Sequence, residues 1–125
     1  MTFNALGKPV TEFESLDCFD TPEYLQEVHL HCSEFTCRCP VTGQPDFATL
    51  DIFYEPGEKC VETKSLKLYL EAFRETKMFH EQVSDQICKY LYAFLQPYRM
   101  RVTANFNVRG GISVRVVSEM IQQEV

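Results

Sequence analysis

No stretch of this 125-residue chain approaches the roughly 20 apolar residues that a membrane-spanning helix needs. Its N-terminus lacks a basic region followed by an apolar run, so no secretory signal is expected and the sequence reads as cytoplasmic. Cations are scarce: 12 Lys and Arg stand against 18 Asp and Glu, for a formal net charge of −6. That balance disfavours a general duplex nucleic-acid binder, whose phosphate contacts need a basic face. Tryptophan is absent, and so are internal repeats, low-complexity tracts and a G-x-G-x-x-G fingerprint. The six cysteines (Cys18, Cys32, Cys37, Cys39, Cys60, Cys88) contain no C-x-x-C pair. Cytosolic thiols stay reduced, so most are expected to pack as small hydrophobes.

Ten Phe and six Tyr supply the large apolar area that a core requires. The length fits a single domain spanning residues 1–125, modest enough that oligomerisation would add useful buried surface. Residues 1–22 show no sustained period and close on Asp20-Thr21-Pro22, which suggests an N-terminal arm. From Tyr24 to Phe35 the composition becomes β-like, with Val28, Leu30 and Cys32 on one face and Glu27, His29, His31 and Ser33 on the other. Cys39 to Pro45 reads as a loop, and Ala48, Leu50, Ile52 and Tyr54 mark the strand after it.

Two helices follow. Leu66, Tyr69, Leu70 and Phe73 form the stripe of the first; Val83, Ile87, Tyr90, Leu91 and Phe94 form that of the second, which Pro97 ends. Met100, Val102, Ala104 and Phe106, then Ile112, Val114 and Val116, alternate around the turn at Arg109-Gly110-Gly111 as a hairpin with one buried face. The order β-β-α-α-β-β predicts an α+β fold, an antiparallel sheet covered on one side by two helices.

Several side chains invite chemistry. Cys39 precedes a proline, which pushes it into an extended loop conformation, and Asp46 begins the next strand. A thiol and a carboxylate flanking one loop suit a nucleophile and a proton donor, and Arg38 is the nearest cation in sequence that would favour a thiolate. An ordinary thiol is the competing reading. Cys37-Arg-Cys39 with His29, His31 and His80 offers a weaker zinc alternative. Lys64, Lys67 and Arg109 suit a phosphate, or equally a solvated helix face. Phe79-His80-Glu81 has the parts to stack on a flat heterocycle and accept its N–H groups, or simply to begin a helix with an acid.

Four separated motifs then match one family in order. Glu62-Thr-Lys64-Ser-Leu-Lys67-Leu-Tyr69 resembles the signature of the NADPH-dependent 7-cyano-7-deazaguanine reductases, with Thr63 where the signature has Ser or Leu. Phe35-Thr-Cys-Arg-Cys39-Pro-Val-Thr-Gly-Gln-Pro-Asp46-Phe47 resembles that family's active-site loop. Phe79-His80-Glu81 and Arg109-Gly110-Gly111-Ile112 fall where it places substrate and cofactor residues. The resemblance spans about Glu34 to Val116 and matches the short, single-module form.

It implies a tunnelling fold whose subunits join edge to edge into a homo-oligomeric ring, with active sites between neighbours. It also implies Cys39 as the nucleophile, forming a covalent thioimidate with the nitrile, and Asp46 as the proton donor. Val61, Glu62, Thr63, Phe79, His80 and Glu81 would hold the deazapurine nitrile. Lys64, Lys67, Arg109 and Gly110 would hold NADPH, the co-substrate, and no metal is implied. The alternatives are an amidinotransferase relative acting on a nitrile-bearing tRNA, a zinc-dependent cyclohydrolase-like enzyme, or a non-catalytic subunit of such a ring. The lysine motif argues against the first.

Overall fold

A computed structural model describes residues 13–123 of the chain. The elements are β1 (Cys18–Asp20), β2 (Val28–Arg38), β3 (Pro45–Glu55), β4 (Lys59–Val61), α1 (Thr63–Glu71), α2 (His80–Leu95), β5 (Arg99–Arg109) and β6 (Ile112–Ile121). Strands β2, β3, β5 and β6 form one antiparallel sheet in that spatial order, and β1 pairs with β4 in a small two-stranded sheet.

The period-2 pattern explains which face of the sheet is buried. Ala48, Leu50, Ile52 and Tyr54 of β3 stand beside Met100, Val102, Ala104 and Phe106 of β5, all under the helices. The opposite face carries polar groups, including the pair His31–Asp51 at 2.7 Å and Arg99–Glu119 at 2.8 Å. Strand β2 begins four residues later than Tyr24 and runs on to Arg38. Between Cys32 and Phe35 a one-residue bulge switches its alternation, so that Phe35 and Cys37 turn into the core. The simple alternation read from Val28 to Cys32 does not continue through that bulge.

In α1 the expected residues Leu66, Tyr69 and Leu70 are buried, while Phe73 lies just past the helix end and is buried as well. In α2 the buried stripe is Val83, Ser84, Ile87, Cys88, Leu91 and Leu95. Tyr90 and Phe94, expected on that stripe, are turned partly outward. Tyr90 instead packs on Tyr69 of α1 with ring centroids 4.7 Å apart, so it joins the two helices sideways.

The N-terminal arm corresponds only in part. Residues 1–12 lie outside the described residues, but residues 13–22 are integrated into the fold. Leu16 is buried, Phe13 packs edge-on against Tyr69, and Asp17 N–H donates to the Ser65 hydroxyl at 2.9 Å. No helix among the described residues is long and apolar enough to cross a membrane.

Candidate active site

The β2–β3 hairpin and the β5–β6 hairpin lie at the same end of the sheet, and α2 begins there. Cys39 opens the first hairpin turn. Its N–H donates to the Gln44 carbonyl, and its carbonyl accepts from Gly43 N–H, both at 2.9 Å. Gly43 has φ +74°, a left-handed conformation that glycine adopts without steric cost.

The half-buried Cys39 thiol titrates below its ordinary value of 9.0. The Thr42 hydroxyl is the largest cause, followed by the backbone N–H groups of Thr42 and Val41, and these outweigh the burial and the nearby Asp46 that oppose them. The Thr42 oxygen accepts from Gln44 N–H at 3.2 Å, which leaves its proton for the sulfur. Arg38, expected to serve as the helper, does not do so. Its guanidinium is held by Glu75 at 2.8 Å and by the Gly43 carbonyl at 2.9 Å. Dipoles of the turn therefore replace the cation that the sequence suggested. Cys37 differs: it is fully buried, and burial first, then Asp46 and Cys39, push its thiol up to about 11. Of the two cysteines, Cys39 alone combines access with thiolate stabilisation.

Asp46 stands opposite Cys37 in the β2–β3 register and is the one carboxylate buried among the described residues. A buried carboxylate needs partners, and it has two. Arg109 Nη1 donates to Oδ1 at 2.5 Å, and His80 Nε2 lies 3.2 Å from Oδ2. Arg109 Nη2 also reaches Gln44 Oε1 at 2.6 Å. His80 is stacked on Phe106 with centroids 3.7 Å apart and planes 7° apart, so one face of its ring is covered. Beside it Phe79 exposes half its surface and Glu81 is exposed in the first turn of α2. Gly110 and Gly111, both at positive φ, make the tight β5–β6 turn that carries Arg109 here.

The remaining expected site residues are elsewhere. Val61 is buried in the core and its N–H donates to the Tyr54 hydroxyl at 3.1 Å. Tyr54 is eight residues along β3 from Asp46, on the order of 25 Å at about 3.3 Å per residue. Glu62 caps α1, with its two carboxylate oxygens accepting from Lys64 N–H at 2.7 Å and Ser65 N–H at 2.8 Å. Burial raises its pKa, but the hydrogen bonds together prevail and the group titrates below 4.5. Thr63 and Lys67 are exposed, and both line a cavity of about 320 Å³ between α1 and β2, floored by Leu30, Phe35 and Leu66. Lys64 is exposed nearby. Thus Cys39, Asp46, Phe79, His80, Glu81 and Arg109 come together, whereas Val61 to Lys67 do not join them within one chain.

Within one chain, two of the expected groupings do not form. Arg109, expected beside a cofactor phosphate with Lys64 and Lys67, is paired with Asp46 and apart from both lysines. The zinc constellation does not form: Cys37 faces the core, whereas His29 and His31 occupy the opposite face of the sheet. Among the described residues no three His, Cys, Asp or Glu side chains gather as a metal site. Thr42, Gln44 and Phe106 were not foreseen as site residues. Thr42 carried one signal, its place three residues after a loop cysteine.

Comparison with known proteins bears on both fold and chemistry. A family model described as QueF-like protein matches residues 45–125. The NADPH-dependent 7-cyano-7-deazaguanine reductase of Frankia casuarinae is 50% identical, covering 94% of this chain and 95% of its own. The proteins of the same name from Nitrosospira multiformis and Thiobacillus denitrificans are 51% and 50% identical over 85% and 89% of this chain. Among solved structures, the apo archaeosine synthase QueF-Like superposes with a TM-score of 0.73 over 78% of this chain and 95% of that one, at 21% identity. That likeness establishes the fold, an α+β tunnelling fold.

Proposed function

The chain belongs to the family of NADPH-dependent 7-cyano-7-deazaguanine reductases, and on that premise we propose how its residues perform the reduction. It reduces the nitrile of 7-cyano-7-deazaguanine to the aminomethyl group of 7-aminomethyl-7-deazaguanine, a step of queuosine biosynthesis, with NADPH as co-substrate. The observation that carries the assignment of roles is the meeting of Cys39, Asp46 and His80 at one end of the sheet.

The Cys39 thiolate adds to the nitrile carbon, forming a C–S bond while one C≡N electron pair moves to nitrogen. That nitrogen takes a proton from Asp46, and His80, 3.2 Å away, resupplies it. The product is a thioimidate on Cys39. When bound, NADPH would supply the two hydrides, one per molecule, and with a second proton through the Asp46–His80 pair they would bring this group to the amine level. Between them Cys39 leaves as a thiolate, which the Thr42 hydroxyl and the turn N–H groups stabilise again. Phe79 offers a ring for stacking, and Glu81 accepts from the N–H edge of the base.

The exposed lysines suit the cofactor. Lys64 and Lys67 take part in no ion pair among the described residues, so both are available to phosphates. Lys67 also rims a cavity whose apolar floor fits a ring and whose wall carries Arg74, Glu34 and Glu71. The distance between the two groups of residues supports a site shared between subunits, in which the Val61 to Lys67 segment of one copy completes the Cys39 end of its neighbour. Strands β2 and β6 are the sheet edges along which copies would join into a cytoplasmic homo-oligomeric ring.

Intact mass after mixing the protein with 7-cyano-7-deazaguanine, NADPH omitted, tests the reading. The expected result is a gain equal to the whole nitrile, absent in Cys39→Ala. Unmodified wild-type protein, or an adduct on Cys39→Ala, would overturn it.

A further inference from the structure

Arg38 sits between the nucleophile turn and the segment that leads to Phe79, and it is bonded to both. Its strand pairs with β3 opposite Pro45. On its other edge, Arg38 N–H donates to the Thr76 carbonyl at 2.8 Å and its carbonyl accepts from Met78 N–H at 3.0 Å. These two bonds make a short parallel bridge centred on Lys77. The side chain repeats the connection. Nε and Nη2 donate to the two Glu75 oxygens at 2.8 and 3.3 Å, and Nη1 donates to the Gly43 carbonyl at 2.9 Å. Cys39 follows Arg38 directly, and Phe79, His80 and Glu81 follow Met78 directly.

We propose that Arg38, clamped by Glu75, is a positioning residue that fixes the Cys39 turn against the Phe79–Glu81 shelf, setting where the sulfur meets a ring seated on that shelf. The inference rests on the reading of Cys39 as nucleophile given above. Its physical basis is the steep dependence of addition on geometry, since a misplacement of about 1 Å costs on the order of a hundredfold. The backbone bridge fixes Arg38 itself but not the turn beyond it. Within that turn the Gly43 carbonyl is held from outside by this one guanidinium, and the same guanidinium grips Glu75 in the connection before α2. The pair is solvent-facing, with Glu75 74% exposed, so it contributes little to overall stability. A bidentate fork is nevertheless directional, which suits alignment. Arg38 is not among the groups that lower the Cys39 pKa, which are the Thr42 hydroxyl and the Thr42 and Val41 N–H groups.

Glu75→Gln and Arg38→Met separate alignment from reactivity when two reagents are compared on the intact protein. Iodoacetamide reports the thiolate and needs no shelf, whereas the nitrile needs both. For Glu75→Gln, alkylation should stay within about twofold of wild type while the maximal rate of adduct formation falls about tenfold. Arg38→Met, which also frees Gly43, should fall further. The exchange Arg38→Glu with Glu75→Arg should recover part of the loss relative to Arg38→Met. Adduct formation within twofold of wild type in both single variants would overturn the proposal. So would a parallel fall in alkylation and adduct formation, which would make Arg38 a partner of the thiol itself. Wild-type protein that forms no adduct would instead reject Cys39 as nucleophile, and the positioning role with it.

Discussion

At the hairpin end of the sheet, side chains meet one another: a buried carboxylate between an arginine and a histidine, and a thiol ringed by hydroxyl and N–H donors. At the Val61 end, the corresponding groups are engaged by the backbone or face solvent. Glu62 caps a helix, Val61 packs in the core, and Lys64 and Lys67 project outward. The first end is held together by contacts within one chain. The second, on the proposal above, acquires its role when a neighbouring subunit or a polyanionic ligand is placed against it.

The largest effect that tests this contrast comes from mixing two defective proteins. Cys39→Ala alone should have no turnover, and a multiple variant that ruins the far end, Lys64→Ala with Lys67→Ala, should have very little. If a site takes one end from each of two copies, co-refolded mixtures should regain roughly one quarter of wild-type sites. Mixtures that remain inactive, although mass spectrometry shows mixed assemblies, would put both ends in one chain.

Next in size is Asp46→Asn, which keeps the shape but removes the acid proposed to transfer the proton. Turnover should fall by about 10²-fold or more. Near-normal rates between pH 6 and 8 would remove Asp46 from the chemistry.

Arginine and lysine variants should then separate the two ends. Lys67→Ala is expected to raise the Michaelis constant for NADPH about ten- to a hundredfold, the equivalent of one lost charge-assisted contact, while nitrile adduct formation is unchanged. Arg109→Ala should slow adduct formation as well, because Asp46 loses its closest partner. Adduct kinetics like wild type in Arg109→Ala would assign that arginine to the cofactor alone.

The smallest effect concerns the thiol. Only the thiolate adds to a nitrile, so the adduct rate rises with pH through the Cys39 pKa, which lies below 9.0. Thr42→Val removes a donor to the sulfur, so this rise should move to higher pH and the rate at neutral pH should drop about two- to tenfold. A pH profile that stays in place would show that the Thr42 hydroxyl does not stabilise the thiolate.

Local patterning carried much of the fold. Alternation from Ala48 to Tyr54 and from Met100 to Phe106, with stripes through Leu66 and Val83, follows from periods of 2 and 3.6 that each residue run expresses by itself. Cys39 and Asp46 were legible for a similar reason, since one short loop joins them and a hairpin brings its ends together. What the sequence alone determined is therefore local: the helices, most strand faces, and a thiol and an acid flanking one loop, together with the motifs that mark the family. The bulge after Cys32, the outward turn of Tyr90, the removal of Arg38 to Glu75 and the pairing of Arg109 with Asp46 needed the tertiary structure. The last two depend on residues far away in the chain: Arg38 and Glu75 are 37 positions apart, Asp46 and Arg109 63 apart. Spacing along the chain says nothing of such meetings. Only the order β2-β3-β5-β6 and the docking of α2 bring them within a hydrogen bond, and the same order holds Val61 to Lys67 away from Cys39.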